Sequence, residues 1–73
     1  MVMKNEVTKI VGQNIKAIIK AKNLKVRVVA SDANMDVETF RKYQNGVMEM
    51  GIEKAVRIAK ALGVEVGELF NGI

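Results

Sequence analysis

Residues 25–45 have the sequence KVRVVASDANMDVETFRKYQN, and the interpretation of this stretch decides the fold. Its first part, residues 25–30, alternates and is rich in β-branched side chains, which taken alone is typical of a strand. No other part of the chain alternates in this way, so a strand here would have no partner to pair with. We therefore interpret the segment as a short helix that ends near Ala33.

A turn and a further helix follow within the same stretch. Asn tolerates the left-handed backbone conformation better than most non-glycine residues, so Asn34-Met35 is the expected turn. Asp36 is a good N-cap for a third helix, and Phe40 and Tyr43 would share one face of it. Asn45-Gly46 is a strong stop signal, which ends this helix at about residue 44 or 45.

The preceding residues predict a long first helix over about 5–22. Asn5 is the expected N-cap, and Glu6 is favourably placed for the helix dipole. The apolar residues recur at the three- and four-residue steps of one helical face, and they are Val7, Ile10, Val11, Ile15, Ile18 and Ile19. The lysines fall mostly on other faces, where a solvated surface is the simplest interpretation, and they are Lys9, Lys16, Lys20 and Lys22.

Two more helices are expected after residue 50. Gly51 is a candidate cap for a fourth helix that Gly63 ends, and a short last helix covers about 65–70. The expected inner face of the fourth helix consists of Ile52, Ala55, Val56, Ala59 and Leu62. The last helix would pack Val66, Leu69 and Phe70. The chain is thus predicted to be all-α, with five short helices in one compact unit.

Composition restricts the function. With 73 residues there is room for one small domain, and the hydrophobic fraction of 49% is ample for a core. Because the chain contains neither cysteine nor histidine, disulfides, thiolate zinc sites and most nucleophile–base catalysis lose their usual side chains. The carboxylates are scattered and no glycine-rich phosphate loop is present, so we expect no enzyme, no metal and no cofactor. Without a long apolar run or a signal-peptide pattern, we expect a cytoplasmic protein with no membrane contact.

The net charge of +4 favours a polyanionic partner, and its distribution is uneven. Residues 1–31 carry seven basic groups and one acidic group, which is a net charge of +6. Residues 32–73 carry five basic and seven acidic groups, which is a net charge of −2. The positive field therefore belongs to the N-terminal part.

The helix, tight turn and helix of residues 25–45 have the layout of a helix-turn-helix. Residues 58–64, IAKALGV, with Glu68-Leu69-Phe70 resemble the fourth and fifth helices of the lambda-repressor-like family, also called the Cro/C1 or XRE type. Further matches, on an alignment without gaps from residue 15 to 70, are Ile15-Lys16, Leu24, Ala30 and Asn45-Gly46, and Asn71-Gly72 resembles the tail of some phage repressors. The resemblance implies a compact five-helix domain over residues 1–73.

In this family the third helix enters the major groove of DNA, while the start of the second helix and the loop after the third contact phosphates. Carried over by position, the DNA-binding candidates are Lys25, Arg27, Val37, Glu38, Arg41, Lys42 and Asn45. Val26 and the loop 47–49 also fall at phosphate-facing positions. Of these, Val37, Glu38, Arg41 and Lys42 are the base-facing candidates.

Several of these positions differ from the family. Gln is common where this chain has Val26, and the loop after the third helix is usually basic, whereas here it contains Glu49 and no base. Such a loop adds nothing to the neutralisation of phosphates, from which DNA affinity largely comes. The family also often pairs an Arg in helix one with a Glu at the end of helix three. This chain has Ile19 and Gln44 at those positions, both neutral.

Two functions remain open. The first is a transcriptional regulator of the phage or bacterial repressor type that binds double-stranded operator DNA in a bacterial cell. It would act as a homodimer, with Phe70 and Ile73 as candidate contacts, although both are equally interpretable as core residues. The alternative is an antirepressor or modulator that binds a partner repressor protein, because a clustered apolar patch usually marks a protein contact. The candidates for that surface are Val26, Val28, Asp36, Val37, Glu38, Val47, Met48, Glu49 and Met50.

Overall fold

The computed structural model of the protein describes residues 4–72, and over this range it contains helices and no strand. The four α-helices are α1 (Lys4–Lys22), α2 (Val26–Asp32), α3 (Val37–Gln44) and α4 (Ile52–Leu62), and a 3₁₀ helix spans Val66–Phe70. The fifth predicted helix is therefore this short 3₁₀ helix. None of the helices within residues 4–72 is long and apolar enough to cross a membrane.

The alternating segment that resembles a strand is helical, as predicted. It forms α2, whose Val29 and Ala30 are buried in the core. Left-handed residues separate the neighbouring helices, with φ of 56° at Asn23 and 59° at Asn34. Asparagine is one of the few non-glycine residues that adopts this conformation readily, so these two residues allow three helices within residues 4–44 to change direction sharply.

Asp36 caps α3, as predicted. Its carboxylate accepts hydrogen bonds from the Thr39 backbone N–H at 3.2 Å and from the Thr39 hydroxyl at 2.8 Å. These bonds favour the charged form and lower the pKa of Asp36, with a smaller contribution from the positive charge of Lys42. The presence of an acidic residue at position 36 is thus explained by its role as the N-cap of α3.

The core lies between helices that pack in a ring: α1 packs against α3 and the 3₁₀ helix, α4 packs against α2 and the 3₁₀ helix, and α2 packs against α3. Its largest fully buried side chains are Ile15, Val29, Phe40, Ile58, Leu62 and Leu69. On α3, Phe40 and Tyr43 are both buried, which confirms that they share the inner face of this helix. Burial of these two aromatic side chains fixes the rotation of α3 about its own axis, and so determines which residues it exposes.

α1 approaches the end of α3 very closely at a glycine. A Cβ atom on Gly12 would lie 2.5 Å from the carbonyl oxygen of Gln44 and 2.8 Å from that of Tyr43. Gly46 follows the C-terminal end of α3 and has a φ of 69°. A Cβ at this position would lie 3.0 Å from the Cα of Lys9 in α1. The two helices thus contact each other backbone to backbone.

Two polar side chains of α1 tie the C-terminal part of the chain to it. The Asn14 amide donates to the carbonyl oxygens of Leu69 at 2.8 Å and Asn71 at 2.9 Å. The Lys22 ammonium donates to the carbonyl oxygens of Leu62 and Gly63, at 2.8 and 3.1 Å, and so satisfies the end of α4. Lys22 therefore stabilises a helix terminus, a role beyond the solvated surface predicted for it.

Three sequence predictions were wrong. Helix α1 begins at Lys4, so Asn5 lies within its first turn and is not the N-cap. Ile52 is 83% exposed, because the buried face of α4 is centred on Ala55, Ile58, Ala59 and Leu62 and the first helical residue lies to the side of it. In the last helix only Leu69 is fully buried, since a 3₁₀ helix has three residues per turn and turns the other two apolar side chains partly outward.

Gln44→Glu is expected to destabilise the fold by about 1 kcal/mol, because it places a negative charge at the negative end of α3. Residue 44 is half-buried, and Ile19, at the position of the family's basic partner, cannot pair with a carboxylate. Thermal melting at pH 7 measures the change, with Gln13→Glu on the exposed side of α1 as the control. A melting temperature that is unchanged or raised in the Gln44 variant would contradict this account.

Candidate nucleic-acid interface

The outer face of α3 is formed by four exposed residues, Glu38, Arg41, Lys42 and Asn45. Their spacing of three, four and seven residues from the first places them on one side of the helix, opposite the buried aromatic pair. Glu38 and the two basic residues form no ion pair or side-chain hydrogen bond with any other described residue. The outer face therefore carries a net charge of +1, and its three charged side chains are not engaged in ion pairs or side-chain hydrogen bonds within residues 4–72.

Arg27, another predicted DNA-binding residue, lines a shallow crevice between α2 and the start of α3. Its walls include Arg27 and Ser31 of α2, one helical turn apart, together with Asn34, Asp36 and Val37. Arg27 therefore lines the same crevice as Asp36 and Val37 at the N-terminal end of α3. Val37 is half-buried and packs against the core, so its side chain is only partly available to a ligand.

The predicted phosphate-contacting positions lie at helix ends. Lys25 is the residue before α2, with extended backbone and no capping hydrogen bond from its side chain, and it is exposed. Asn45 follows the last residue of α3 and is also exposed. Val26 is half-buried and packs against the core, which accounts for an apolar residue where the family commonly has Gln.

The predicted partner-binding residues are exposed to different degrees. Val26, Val37, Met48 and Met50 are half-buried and pack against the core. Val28 on α2 is 54% exposed and Val47 is 74% exposed, so neither enlarges the core. Asp36 is engaged by Thr39, and Glu38 belongs to the outer face of α3.

The loop after α3 instead borders a second, separate depression. This apolar cleft, of about 270 Å³, shares no lining residue with the crevice beside α3. Its apolar lining consists of Val7 and Val11 from α1, Tyr43 from α3, Met48 and Met50 from the loop, and Phe70. Phe70 is 39% exposed, so it is available for contact, whereas Ile73 lies outside the described residues.

Sequence reasoning missed two features that bear on this region. Ile52 is the most exposed large apolar residue among those described, and it lies close in sequence to the cleft loop. Asn14 holds the backbone on either side of Phe70, the residue that lines the cleft from the 3₁₀ helix. Helical periodicity predicts neither feature. The exposure of Ile52 depends on how the end of α4 packs, and the Asn14 hydrogen bond joins residues that are 55 positions apart.

The comparison with known proteins agrees with this geometry. The family model described as the Cro/C1-type HTH DNA-binding domain matches residues 14–73, most of the chain. No curated protein sequence matches the chain.

Solved structures show the same fold. The clp gene regulator ClgR from C. glutamicum superimposes with a TM-score of 0.82 at 17% identity, covering 86% of this chain and 82% of that one. The restriction-modification controller protein C.AhdI from Aeromonas hydrophila gives 0.82 at 24% identity, covering 86% and 96%. The BldD DNA-binding domain of S. venezulae gives 0.75 at 22% identity, covering 89% and 97%. Together with the family match, the helix-turn-helix of α2 and α3 shows that the chain belongs to the Cro/C1-type helix-turn-helix DNA-binding domain family.

Proposed function

We propose that this protein is a repressor-type transcription regulator that binds operator DNA through the outer face of α3. The observation that carries the proposal is this face itself. It presents three charged side chains and an amide that no described residue uses, on a helix whose opposite side is locked into the core. A rigid helix of about 10–12 Å in diameter fits the major groove of B-DNA.

The neighbouring residues supply the positioning contacts that such a complex needs. Phosphate contacts fix the register of a helix on the duplex, and base contacts carry the sequence information. Lys25 before α2 and Asn45 after α3 are exposed at helix ends, where a DNA backbone would pass. Arg27 lines the crevice at the N-terminal end of α3 and adds a third candidate for these contacts.

The operator is proposed to be pseudo-palindromic, with the protein binding as a homodimer. A dimer places two recognition helices about 34 Å apart, one turn of the DNA helix. The apolar cleft, with Phe70 held in place by Asn14, is the proposed contact between the two copies. The descriptions of the structural relatives as a gene regulator, a controller protein and a DNA-binding domain support a regulatory role.

Selection from a randomised duplex pool tests this function. The purified protein is titrated by fluorescence anisotropy at low and near-physiological salt, and the bound fraction is sequenced. Enrichment of a palindromic site that survives the higher salt is the expected result. Weak binding that disappears with salt and enriches no sequence would show only the generic attraction of the basic residues 1–31, and would overturn the proposal.

An antirepressor that binds a partner repressor protein is the second candidate function, and the exposure of Val28 and Val47 favours it. Val28→Asp and Val47→Asp are expected to abolish partner binding in a pull-down against the repressor and to leave the melting temperature within a few degrees. The half-buried Val26 and Met48 are poorer choices, because a charge there disturbs the core. If both variants bind the partner as the wild type does, this second function is ruled out at these positions.

A further inference from the structure

We infer that Glu38 is a specificity-determining residue that selects cytosine in the operator half-site. The inference rests on the proposed function, and it names the base that one side chain of α3 distinguishes. It starts from an unexplained feature, since the surface proposed to bind a polyanion exposes a carboxylate.

The two acidic residues at the start of α3 are structurally different. Both oxygens of the Asp36 carboxylate accept hydrogen bonds from Thr39, so this side chain is committed to the cap. The Glu38 carboxylate is exposed and forms no hydrogen bond or ion pair with any described residue. It belongs to the first turn of α3, and the N-terminal residues of a recognition helix are those that contact base edges.

The chemistry of the carboxylate restricts the base. An ionised carboxylate only accepts hydrogen bonds, and in the major groove only the cytosine N4 and adenine N6 amino groups donate. Adenine presents its N7 acceptor beside that donor, which repels a second carboxylate oxygen, whereas cytosine has no acceptor at that edge. Guanine and thymine present acceptors alone at the position that Glu38 would meet, so cytosine is the favoured base.

The neighbouring charges extend the half-site. Arg41 and Lys42 follow Glu38 by about one helical turn on the same face, and both pair well with the O6 and N7 atoms of guanine. From Glu38 to Asn45 the face extends about 10 Å at 1.5 Å per residue. That length corresponds to about three base-pair steps, so the selected cytosine and a guanine fall within one short half-site.

The test repeats the pool selection with Glu38→Gln and with Glu53→Gln as a matched control. Glu53 also lies in the first turn of its helix, α4, where it pairs with Arg57 at 3.3 Å, so the control removes the same charge from a different surface. We expect the wild type and the control to enrich the same cytosine. Because glutamine pairs with adenine N6 and N7, Glu38→Gln should replace that cytosine by adenine with a preference of about ten-fold.

A third variant, Glu38→Ala, should bind with no preference at the same position, and melting curves confirm that each variant is folded. If Glu38→Gln and Glu38→Ala enrich the same base as the wild type at every position, the inference is overturned while the proposed function stands. If the wild type enriches no sequence at all, the proposed function fails and takes the inference with it.

Discussion

Gly12→Ala is expected to lower the free energy of unfolding by about 3 kcal/mol, at the upper end of what overpacking typically costs. In an exposed helix the same change would stabilise by about 1 kcal/mol, because alanine is the better helix former. Here the new Cβ would lie 2.5 Å from the Gln44 carbonyl oxygen, so α3 must move away from α1. Chemical denaturation, read by circular dichroism, measures the change.

Gly67→Ala is the matched control for this prediction. Gly67 lies in the 3₁₀ helix, and a Cβ there would have no neighbour within 4 Å. The free energy of unfolding should change by less than about 1 kcal/mol. Equal stability of the two variants would mean that the backbones of α1 and α3 are not in contact at Gly12.

The double variant Arg41→Ala, Lys42→Ala is expected to bind the selected operator about 100-fold more weakly than the wild type. The two side chains are the cations of the outer face of α3, and one good base contact contributes about 1–3 kcal/mol of discrimination. Both side chains are exposed, and neither forms an ion pair or a side-chain hydrogen bond with a described residue. The melting temperature should therefore hardly change. Anisotropy titrations on the selected duplex and on a scrambled one measure both affinity and specificity.

The control is a second double variant with the same loss of charge, Lys16→Ala, Lys20→Ala. Both lysines are exposed on α1, and neither belongs to the helix-turn-helix of residues 25–45. This control should weaken the two duplexes about equally and modestly, because it removes only general attraction. Equal losses of operator affinity in the two double variants would show that α3 is not the contact surface.

Much of the fold follows from local sequence signals that the structure confirms. Asn34 and Asp36 fixed the boundary between α2 and α3 because a left-handed turn residue and an N-cap act within three or four residues. The segment beginning at Val26 required a global argument, since its β-branched residues favour a strand and only the lack of a partner strand opposes it. Ile52 was misplaced because periodicity cannot tell where the neighbouring elements stop covering a helix end.

The candidate interface shows the same division. Glu38, Arg41, Lys42 and Asn45 were all among the candidates that the family resemblance implied, and their spacing agrees with an outer face opposite Phe40 and Tyr43. The apolar cleft could not be predicted, because Val7, Tyr43, Met48 and Phe70 meet only after folding. The different roles of Asp36 and Glu38 could be predicted, because the N-cap position of Asp36 assigns its carboxylate to the end of α3, and the hydrogen bonds from Thr39 confirm that assignment.

The most direct test of the central claim is a titration of the ¹⁵N-labelled protein with the selected operator duplex, followed by amide chemical shifts. Binding through α3 predicts that the largest shift changes lie at residues 37–45, with a second group at residues 25–27 before and at the start of α2. Changes concentrated on the exposed lysines of α1, or on the cleft around Met48 and Phe70, would contradict recognition by α3.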